Sequence, residues 1–336
     1  MKKVRIGLYG CGNRTVQLLK VAESCPDVQV TLCHDINRER AEKLAERYKA
    51  KACTLEELLA SDEVDMYVIS LFPAAHTEAL LKAAKTGKPI YIEKPVAVTL
   101  SDIAKLVPLV GKTYVQVGLF YKYIPVYREL SRLVKSGKIG ELVGINFNWL
   151  SLMKVPETEP GKTQDWRYVP ETGGELTQHY CHCFDWFRSL GGNFRAVTAM
   201  SANVSDNRSC IEDIWDLIIK LDSGAQVSFH SSERNARLTT YGHLEGSEGS
   251  LEWEWSNPSR IMFCQGTREK YVHQLLPVPE EAPDAVMDFI HRYQCGEAPA
   301  VSLEDGLWSV LPAIYARESA ATGKVIRFPE KLEDLL

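Results

Sequence analysis

The amino-acid sequence predicts an α/β protein in which a doubly wound parallel sheet is followed by a second α/β domain with an open, mainly antiparallel sheet. Residues 4–118 alternate short β-branched runs, apolar on both faces, with helical patterns, as parallel βαβ units do. After about residue 120 the runs alternate apolar and polar residues, which indicates strands with one buried face. This change predicts domains of residues 1–120 and 121–336.

The elements of the first domain each have a sequence signal. Apolar residues recur at helical spacing over residues 41–48, and a second helix, Ala75–Thr86, ends at Gly87 with Pro89 beyond it. Five runs are predicted strands: Val4–Tyr9, Val28–Cys33, Val64–Leu71, Ile90–Ile92 and Tyr114–Val117.

In the second domain a predicted helix, Pro125–Ser136, ends at Gly137, and Asp222-Ser223-Gly224 is a hairpin turn signal. The proline-containing segment Leu152–Pro170 is predicted to be a loop over the functional site. Alternating runs predict these strands: Val143–Trp149, Val197–Val204, Leu217–Leu221, Gln226–Ser232, Leu251–Trp255, Ile261–Cys264 and Tyr271–Leu275.

Composition excludes several classes of protein. The 336 residues carry 39 Lys and Arg against 44 Asp and Glu, a net charge of −5 without a long basic run, so nucleic acid is not an expected partner. The start reaches glycine too early for a signal peptide, and no apolar run approaches the roughly 20 residues of a membrane span. Nine scattered cysteines without a Cys-x-x-Cys pair predict thiols in a reducing cytoplasm.

A glycine-rich turn, Gly7-Leu8-Tyr9-Gly10-Cys11-Gly12-Asn13-Arg14-Thr15, directly follows the first strand and opens a helix. The glycines alone fit an ordinary turn equally well, but this context favours dinucleotide binding. Gly10 and Gly12 let the backbone approach a pyrophosphate, which the helix start at Asn13 and Arg14 attracts. Thr15 replaces the third glycine of the motif, which serves packing, so we expect looser packing of helix on strand.

Asp35 follows the second strand, 23 residues after Gly12, close to the spacing of about 20 at which a carboxylate binds the ribose hydroxyls. It favours NAD because a carboxylate repels a 2′-phosphate. Arg38 could instead accept that phosphate, which keeps NADP possible. Alternatively, Asp35 serves only as an acidic residue at the start of the next helix.

Lys94 lies in Tyr91-Ile92-Glu93-Lys94-Pro95, at the carboxyl end of a parallel strand, where open α/β sheets bind ligands. There a lysine is placed to meet a substrate beside the nicotinamide. The alternative is a solvated lysine, and Pro95 counts modestly against it because proline restricts the residue before it.

A predicted helix over Thr172–Trp186 opens with a glycine pair and carries a polar stripe of Gln178, His179, His182 and Asp185 on one face. The stripe suggests a pocket, although a core histidine satisfied by Asp185 is an alternative. Cys181 and Cys183 diverge to either side of His182, so we expect no metal site.

In order along the chain, these residues resemble the Gfo/Idh/MocA oxidoreductases, named for glucose-fructose oxidoreductase and inositol dehydrogenase. The resemblance runs nearly end to end and implies an amino-terminal Rossmann domain, NAD(P), and hydride transfer at a carbinol carbon of a sugar, polyol or sugar derivative. Its further marks are Pro73 with His76, Glu93-Lys94-Pro95, Lys122-Tyr123-Ile124-Pro125, Asp165-Trp166-Arg167, Gly173-Gly174, Glu245-Gly246-Ser247-Glu248-Gly249 and the closing segment Ala320–Ile326.

The resemblance also implies roles for particular residues. Lys94 and His182 match the lysine and histidine that family members commonly place at the substrate, and either could be the base. Gln178 stands where an aspartate is common, so it can hydrogen-bond but supplies no charge, and Asp185 is the nearest carboxylate. Further contacts are expected from two sets of residues. They are Pro73, His76, Glu93 and Lys94 for the cofactor, and Lys94, Tyr123, Trp166, Arg167, Gln178, His179 and His182 for the substrate.

The expected function is therefore an NAD(P)-dependent sugar or polyol dehydrogenase, a homodimer or homotetramer assembled through the face that the one-sided second sheet leaves uncovered. Two alternatives share the motifs. One is a redox-neutral enzyme that holds NAD tightly and oxidises its sugar transiently for elimination or glycoside cleavage, and catalytic rather than stoichiometric NAD would distinguish it. The other is a redox-silent nucleotide sensor, which binds NAD but turns over no polyol.

Overall fold

The computed structural model describes residues 3–20, 22–152, 174–204, 212–267, 270–281 and 283–336. The chain divides into two compact units. The first comprises Met1–Leu119, Pro283–Leu307 and Leu335–Leu336, and the second comprises Phe120–Ala282 and Trp308–Asp334. The first unit ends at Leu119, beside the predicted boundary at residue 120. Residues 283–307 also belong to the first unit, whereas the sequence was divided at one point only.

The first unit contains a six-stranded parallel sheet in the order β3-β2-β1-β4-β5-β6. Its strands are β1 (Val4–Tyr9), β2 (Val28–His34), β3 (Lys51–Ala52), β4 (Met66–Ile69), β5 (Ile90–Ile92) and β6 (Val115–Val117). The predicted doubly wound sheet is confirmed, and β3 is an addition that is too short to leave a pattern. The strand order reverses between β1 and β4, so the carboxyl ends of these strands border the crevice where such sheets bind ligands.

The helices of the first unit cover this sheet and include one from late in the chain. They are α1 (Asn13–Leu18), α2 (Arg38–Tyr48), α3 (Leu55–Ala60), α4 (His76–Ala84), α5 (Leu100–Leu106) and α9 (Ala285–Gln294). The ring of Phe289 on α9 packs 5.8 Å from that of Tyr91. The buried Gln116 side chain donates to the carbonyl of Ala285 and accepts from the N–H of Ala300, each at 3.0 Å. These bonds satisfy a buried amide and tie residues 283–307 to β6.

The second unit contains a nine-stranded sheet in the order β14-β13-β12-β11-β7-β10-β9-β8-β15. Neighbouring strands pair antiparallel, except that β7 and β10 run parallel. The mainly antiparallel sheet is as predicted, whereas β11 and β15 were not predicted, because β11 opens with polar residues and β15 has two residues. The strands are β7 (Leu142–Leu152), β8 (Phe194–Ala202), β9 (Ile214–Leu221), β10 (Gln226–Ser232), β11 (Arg234–Gly246), β12 (Ser250–Trp255), β13 (Arg260–Gly266), β14 (Tyr271–Leu276) and β15 (Ile326–Arg327).

Helices cover one face of this second sheet: α6 (Pro125–Lys135), α7 (Gly174–Gln178), α8 (Cys181–Gly191) and α10 (Leu303–Thr322), of which residues 308–322 belong to the second unit. The Phe147 ring on β7 lies 6.0 Å from that of Trp186 on α8. The helix predicted over residues 172–186 is interrupted at residues 179–180. There Tyr180 turns into the core, where its hydroxyl donates to Glu233 at 2.6 Å. Among the described residues, no helix combines the length and apolarity needed to cross a membrane.

Candidate active site

The glycine-rich turn joins the carboxyl end of β1 to α1. Gly10 adopts a φ of +102°, and a Cβ there would lie 2.1 Å from the carbonyl oxygen of Ser70, so only glycine fits. Gly12 has an ordinary φ of −80°, and no atom of the described residues lies within 4 Å of the position its Cβ would take. Gly10 therefore makes the turn, and Gly12 leaves open the approach to Asn13 and Arg14 at the exposed start of α1.

Thr15, in the place of the third glycine, does not leave the packing of α1 on the strand loose, as we had expected it to. Its side chain is fully buried, and its hydroxyl donates to the carbonyl oxygen of Gly10 at 2.8 Å. The hydroxyl ties the first turn of α1 to Gly10, the glycine with the positive φ. Threonine therefore fills the packing position and holds the turn at the same time.

The carboxylate of Asp35 is fixed against the same turn. Its two oxygens accept the backbone N–H groups of Cys11 and Asn37, each at 2.8 Å. A carboxylate oxygen can accept more than one hydrogen bond, so both can also receive ribose hydroxyls. Arg38 is exposed and pairs along α2 with Glu42 at 2.8 Å. The structure thus places Asp35 beside the turn that contains Gly10 and Gly12. Arg38 pairs with a residue of its own helix.

An ion pair connects the glycine-rich turn with the segment that carries Lys94. The Nε of Arg14 donates to Glu93 Oε1 at 2.9 Å, and the Glu93 carboxylate is almost completely buried. The next residue, Lys94, is half-buried and is the second residue after β5, with a cis peptide to Pro95. This ion pair fixes the placement of the two segments.

His76 holds the segment that carries Lys94 in place by a hydrogen bond to the backbone of Pro95. Its ring is buried, with Nδ1 donating to the carbonyl of Pro95 at 2.7 Å and Nε2 accepting the N–H of Leu71 at 3.2 Å. Burial lowers the pKa of His76 to about 4, and the charge of Lys94 adds to this effect. The imidazole is therefore neutral and holds two backbone segments together, with the buried Pro73 at the turn before α4.

Protonation of His76 should make the protein less stable in mild acid. Because the pKa is about 4 in the folded state and near 6.5 in the unfolded chain, unfolding takes up a proton between these values. The free energy of unfolding should fall by about 2 kcal/mol between pH 7.5 and 5.0 through this residue. Urea unfolding of H76Q should show a fall smaller by that amount than that of the wild type. H291Q, which changes an exposed histidine of α9, is the control, and an equal fall in all three proteins would contradict the assignment.

In the second unit, His182 lies in the first turn of α8 and is 1% exposed. Its Nδ1 accepts the backbone N–H of Phe120 at 3.4 Å. The imidazole is 3.9 Å from the Phe120 ring and stacks on Tyr121 with a centroid distance of 5.7 Å and an interplanar angle of 11°. The chain before α6 therefore holds the ring both by a hydrogen bond and by aromatic contact.

Three other predicted substrate residues of the second unit lie in the described part of the chain. Gln178 is buried at the end of α7, and the half-buried His179 stacks on Trp149 of β7 at 6.3 Å. The half-buried Tyr123 closes a 3₁₀ turn over Tyr121–Tyr123. Trp166, Arg167 and most of the predicted loop Leu152–Pro170 lie outside the described residues.

Asp185, three residues after His182, forms an ion pair with Lys122 that was not predicted. Asp185 is 1% exposed, and its Oδ1 lies 3.7 Å from the Nζ of Lys122. Sequence analysis offered Asp185 as support for His182, and this stays a prediction; the Nδ1 of that histidine accepts a backbone N–H. The signal for Lys122 was available, because it stands beside Tyr123 in a segment already singled out.

Glu233, between β10 and β11, was also missed, because an acidic residue in a polar run leaves no pattern. Its buried carboxylate accepts the hydroxyls of Tyr180, at 2.6 Å, and Ser151. Burial and the Glu233 carboxylate raise the pKa of Tyr180 well above its ordinary value. Glu233 thereby anchors the turn that leads into α8 and His182.

The cysteines beside His182 bond in different directions. The thiol of Cys181 donates to the carbonyl of Gln178 at 3.5 Å, and that of Cys183 donates to the Tyr121 hydroxyl at 3.6 Å. Across the described ranges, no group of three or more His, Cys, Asp or Glu side chains is placed to hold a metal ion.

A six-stranded parallel sheet of this order, with an open glycine turn and a fixed carboxylate at its switch point, defines a dinucleotide-binding protein. Comparison with known proteins identifies the family. The chain belongs to the Gfo/Idh/MocA oxidoreductases: residues 4–121 match that family's NAD-binding Rossmann fold, and residues 127–252 match its C-terminal domain. The resemblance found in the sequence is thus confirmed.

Relatives and solved structures agree with this assignment over nearly the whole chain. Inositol 2-dehydrogenase of Rhizobium meliloti is 26% identical over 340 residues, which cover 96% of this chain and 98% of the relative. A levoglucosan dehydrogenase solved with NADH has a TM-score of 0.84 at 19% identity, covering 98% of this chain and 100% of that one. An oxidoreductase domain protein from Kribbella flavida has a TM-score of 0.86 at 18% identity, with the same coverage. The two structures show a shared fold.

Proposed function

We propose that this protein, in a reducing cytoplasm, interconverts a carbinol and a carbonyl carbon of a sugar, polyol or sugar derivative with NAD. The observation that carries the proposal is the half-buried Lys94 at the carboxyl end of β5, placed by the Arg14–Glu93 pair and the hydrogen bond of His76 to Pro95. A lysine held at this edge of a nucleotide-binding sheet can bond an oxygen of the substrate. The relative named inositol 2-dehydrogenase supports a polyol substrate.

The described residues fit the cofactor, because the space over Gly12 is open and Asp35 is fixed beside it. Bound NAD would supply the hydride acceptor. Gly10, Gly12, Asn13 and Arg14 are proposed to hold its pyrophosphate, and Asp35 its ribose hydroxyls. On the substrate side, Lys94 and His182 are proposed to bond the reacting oxygen, with the remaining hydroxyls contacted by Tyr123, Trp166, Arg167, Gln178 and His179.

The function is tested by mixing the purified protein with NAD and a panel of cyclic polyols, anhydrosugars and aldoses while the absorbance of NADH is followed. We expect stoichiometric NADH from at least one member of the panel, and consumption of NADH with the corresponding ketone. Binding of NADH without turnover of any member would contradict the proposal and favour a sensor. Conversion of a sugar without net NADH would favour the redox-neutral alternative.

Removing the charge of Asp35 should weaken the preference for NAD over NADP. D35N keeps an oxygen for the Cys11 N–H but no longer repels a 2′-phosphate, and charged hydrogen bonds contribute about 1.5–3 kcal/mol. We expect the ratio of NADPH to NADH dissociation constants to fall by at least about tenfold in fluorescence titrations. D27N, at the exposed amino end of the same strand, is the control and should leave the ratio unchanged. An unchanged ratio in D35N would contradict the role of Asp35.

We also propose that two copies associate through the outer face of the nine-stranded sheet. Exposed apolar side chains such as Met200 and Ile218 alternate there with histidine–carboxylate pairs, His230 with Asp216 and His243 with Glu245, and such a mixed surface suits a two-fold contact. I218R should convert the dimer or tetramer to monomer in light scattering. L100R, on α5 of the first unit, should not. A monomeric wild type would contradict the proposal.

A further inference from the structure

The two nitrogens of the His182 ring are made different by the chain around them. The backbone N–H of Phe120 is directed at Nδ1, at 3.4 Å, and an amide N–H can only donate. Nδ1 must therefore be the acceptor. In a neutral imidazole the single ring proton is then on Nε2, which donates to whatever it contacts.

The surroundings of His182 favour the neutral ring. An imidazolium would place an N–H on Nδ1 directly against the N–H of Phe120, and burial among the rings of Phe120 and Tyr121 also disfavours charge. Four residues before the histidine stands the amide of Gln178, which supplies no charge.

We infer that His182 is a hydrogen-bond donor to the reacting oxygen through Nε2–H and does not carry the proton of the reaction. This inference rests on the proposed function and assigns the proton to Lys94. In oxidation, the C–H bond breaks with its electron pair passing to the nicotinamide, the hydroxyl proton passes to the Nζ of Lys94, which has first released a proton to solvent, and the C=O bond forms. His182 keeps its proton throughout, and reduction is the reverse.

The alternative role for His182 has a structural cost. For Nε2 to accept a proton, the neutral ring would first need its proton on Nδ1, which would replace the Phe120 hydrogen bond with a contact between two donors. A fixed donor needs no such change and stabilises negative charge that develops on the oxygen. The amide at Gln178 agrees with this role, because a base that becomes an imidazolium benefits from a carboxylate and a donor does not.

The tautomer of His182 can be measured without any enzymatic activity. Nitrogen-15 spectra of protein labelled at histidine distinguish protonated from unprotonated ring nitrogens, and the H182Q variant identifies the signals of His182. Between pH 6 and 8, with and without NADH, we expect Nδ1 to be unprotonated and Nε2 protonated. A proton on Nδ1, alone or in an imidazolium, would overturn the inference, even if the protein proves to be a dehydrogenase. The expected spectrum would stand even if no polyol were turned over.

Substitutions test the role in the reaction. The side-chain amide of glutamine can donate from nearly the position of Nε2 but cannot take up a proton, whereas leucine can do neither. We expect H182Q to retain turnover within about tenfold of the wild type and H182L to lose about 10²–10³-fold, as when an oxyanion donor is removed. Equal losses of about 10²–10⁴-fold in both variants would instead assign the proton to His182. In addition, ethylamine should restore activity to K94A, and failure of this rescue would contradict the assignment of the proton to Lys94.

Discussion

Replacing Lys94 with alanine should lower turnover by about 10²–10⁴-fold, the range contributed by a placed acid or base. The loss is expected in kcat and not in cofactor affinity, because the turn at Gly10–Gly12 and the carboxylate of Asp35 are separate from the lysine side chain. Steady-state rates on the substrate found in the panel, together with a fluorescence titration of NADH, measure both quantities on the same preparation.

The matched control for K94A is K105A. Lys105 is an exposed lysine of α5 in the same unit, 3.6 Å from Glu78, and its loss should change neither quantity. H182A should also lose turnover while binding NADH normally. Unchanged turnover in both K94A and H182A would show that the catalytic residues have been assigned wrongly, whatever the cofactor does.

Alanine at Gly12 should abolish most cofactor binding in a protein that remains folded. Its Cβ would enter the space that the described residues leave open over the turn, where we propose that the pyrophosphate makes its close approach. The dissociation constant for NADH should rise by at least about tenfold, or about 1.4 kcal/mol. The melting temperature without cofactor should stay close to that of the wild type, because the φ of −80° suits any residue.

Two further alanine substitutions separate binding from folding. G10A should destabilise the protein by about 3 kcal/mol or more, because a positive φ and a Cβ 2.1 Å from the Ser70 carbonyl oxygen act together. G111A has a φ of +70° without a nearby atom among the described residues, so it should lose only about 1–2 kcal/mol. If G12A were destabilised as much as G10A, its loss of NADH affinity would say nothing about a cofactor contact.

Sequence reasoning succeeded where the signal is local. A short stretch of chain is enough to predict the buried parallel strands, the turn at Gly10 and Gly12, and the spacing to Asp35. The structure has these strands and brings the three residues together. It failed on the role of Thr15, because the motif predicts a glycine and does not show that a hydroxyl can bond the turn from inside.

Other features of the site depend on contacts between distant residues. Phe120 and His182 are 62 positions apart, so no pattern could show which ring nitrogen the Phe120 amide would bind. Likewise, Tyr180 interrupts the predicted helix by bonding Glu233, 53 positions away. A helical period describes one segment, whereas these bonds require the three-dimensional fold.

The return of residues 283–307 to the first unit has a consequence for biosynthesis. The amide of Gln116 is translated 169 residues before Ala285 and 184 before Ala300, the two backbone partners that satisfy it. At about 5–20 residues per second, both partners of Gln116 are present only roughly 9–37 s after β6 is made, and the nine-stranded sheet except β15 is made in that time. The first unit, which also includes Leu335–Leu336, is therefore complete only after residue 336 has been made, and a truncated 1–120 fragment would lack both backbone partners of Gln116.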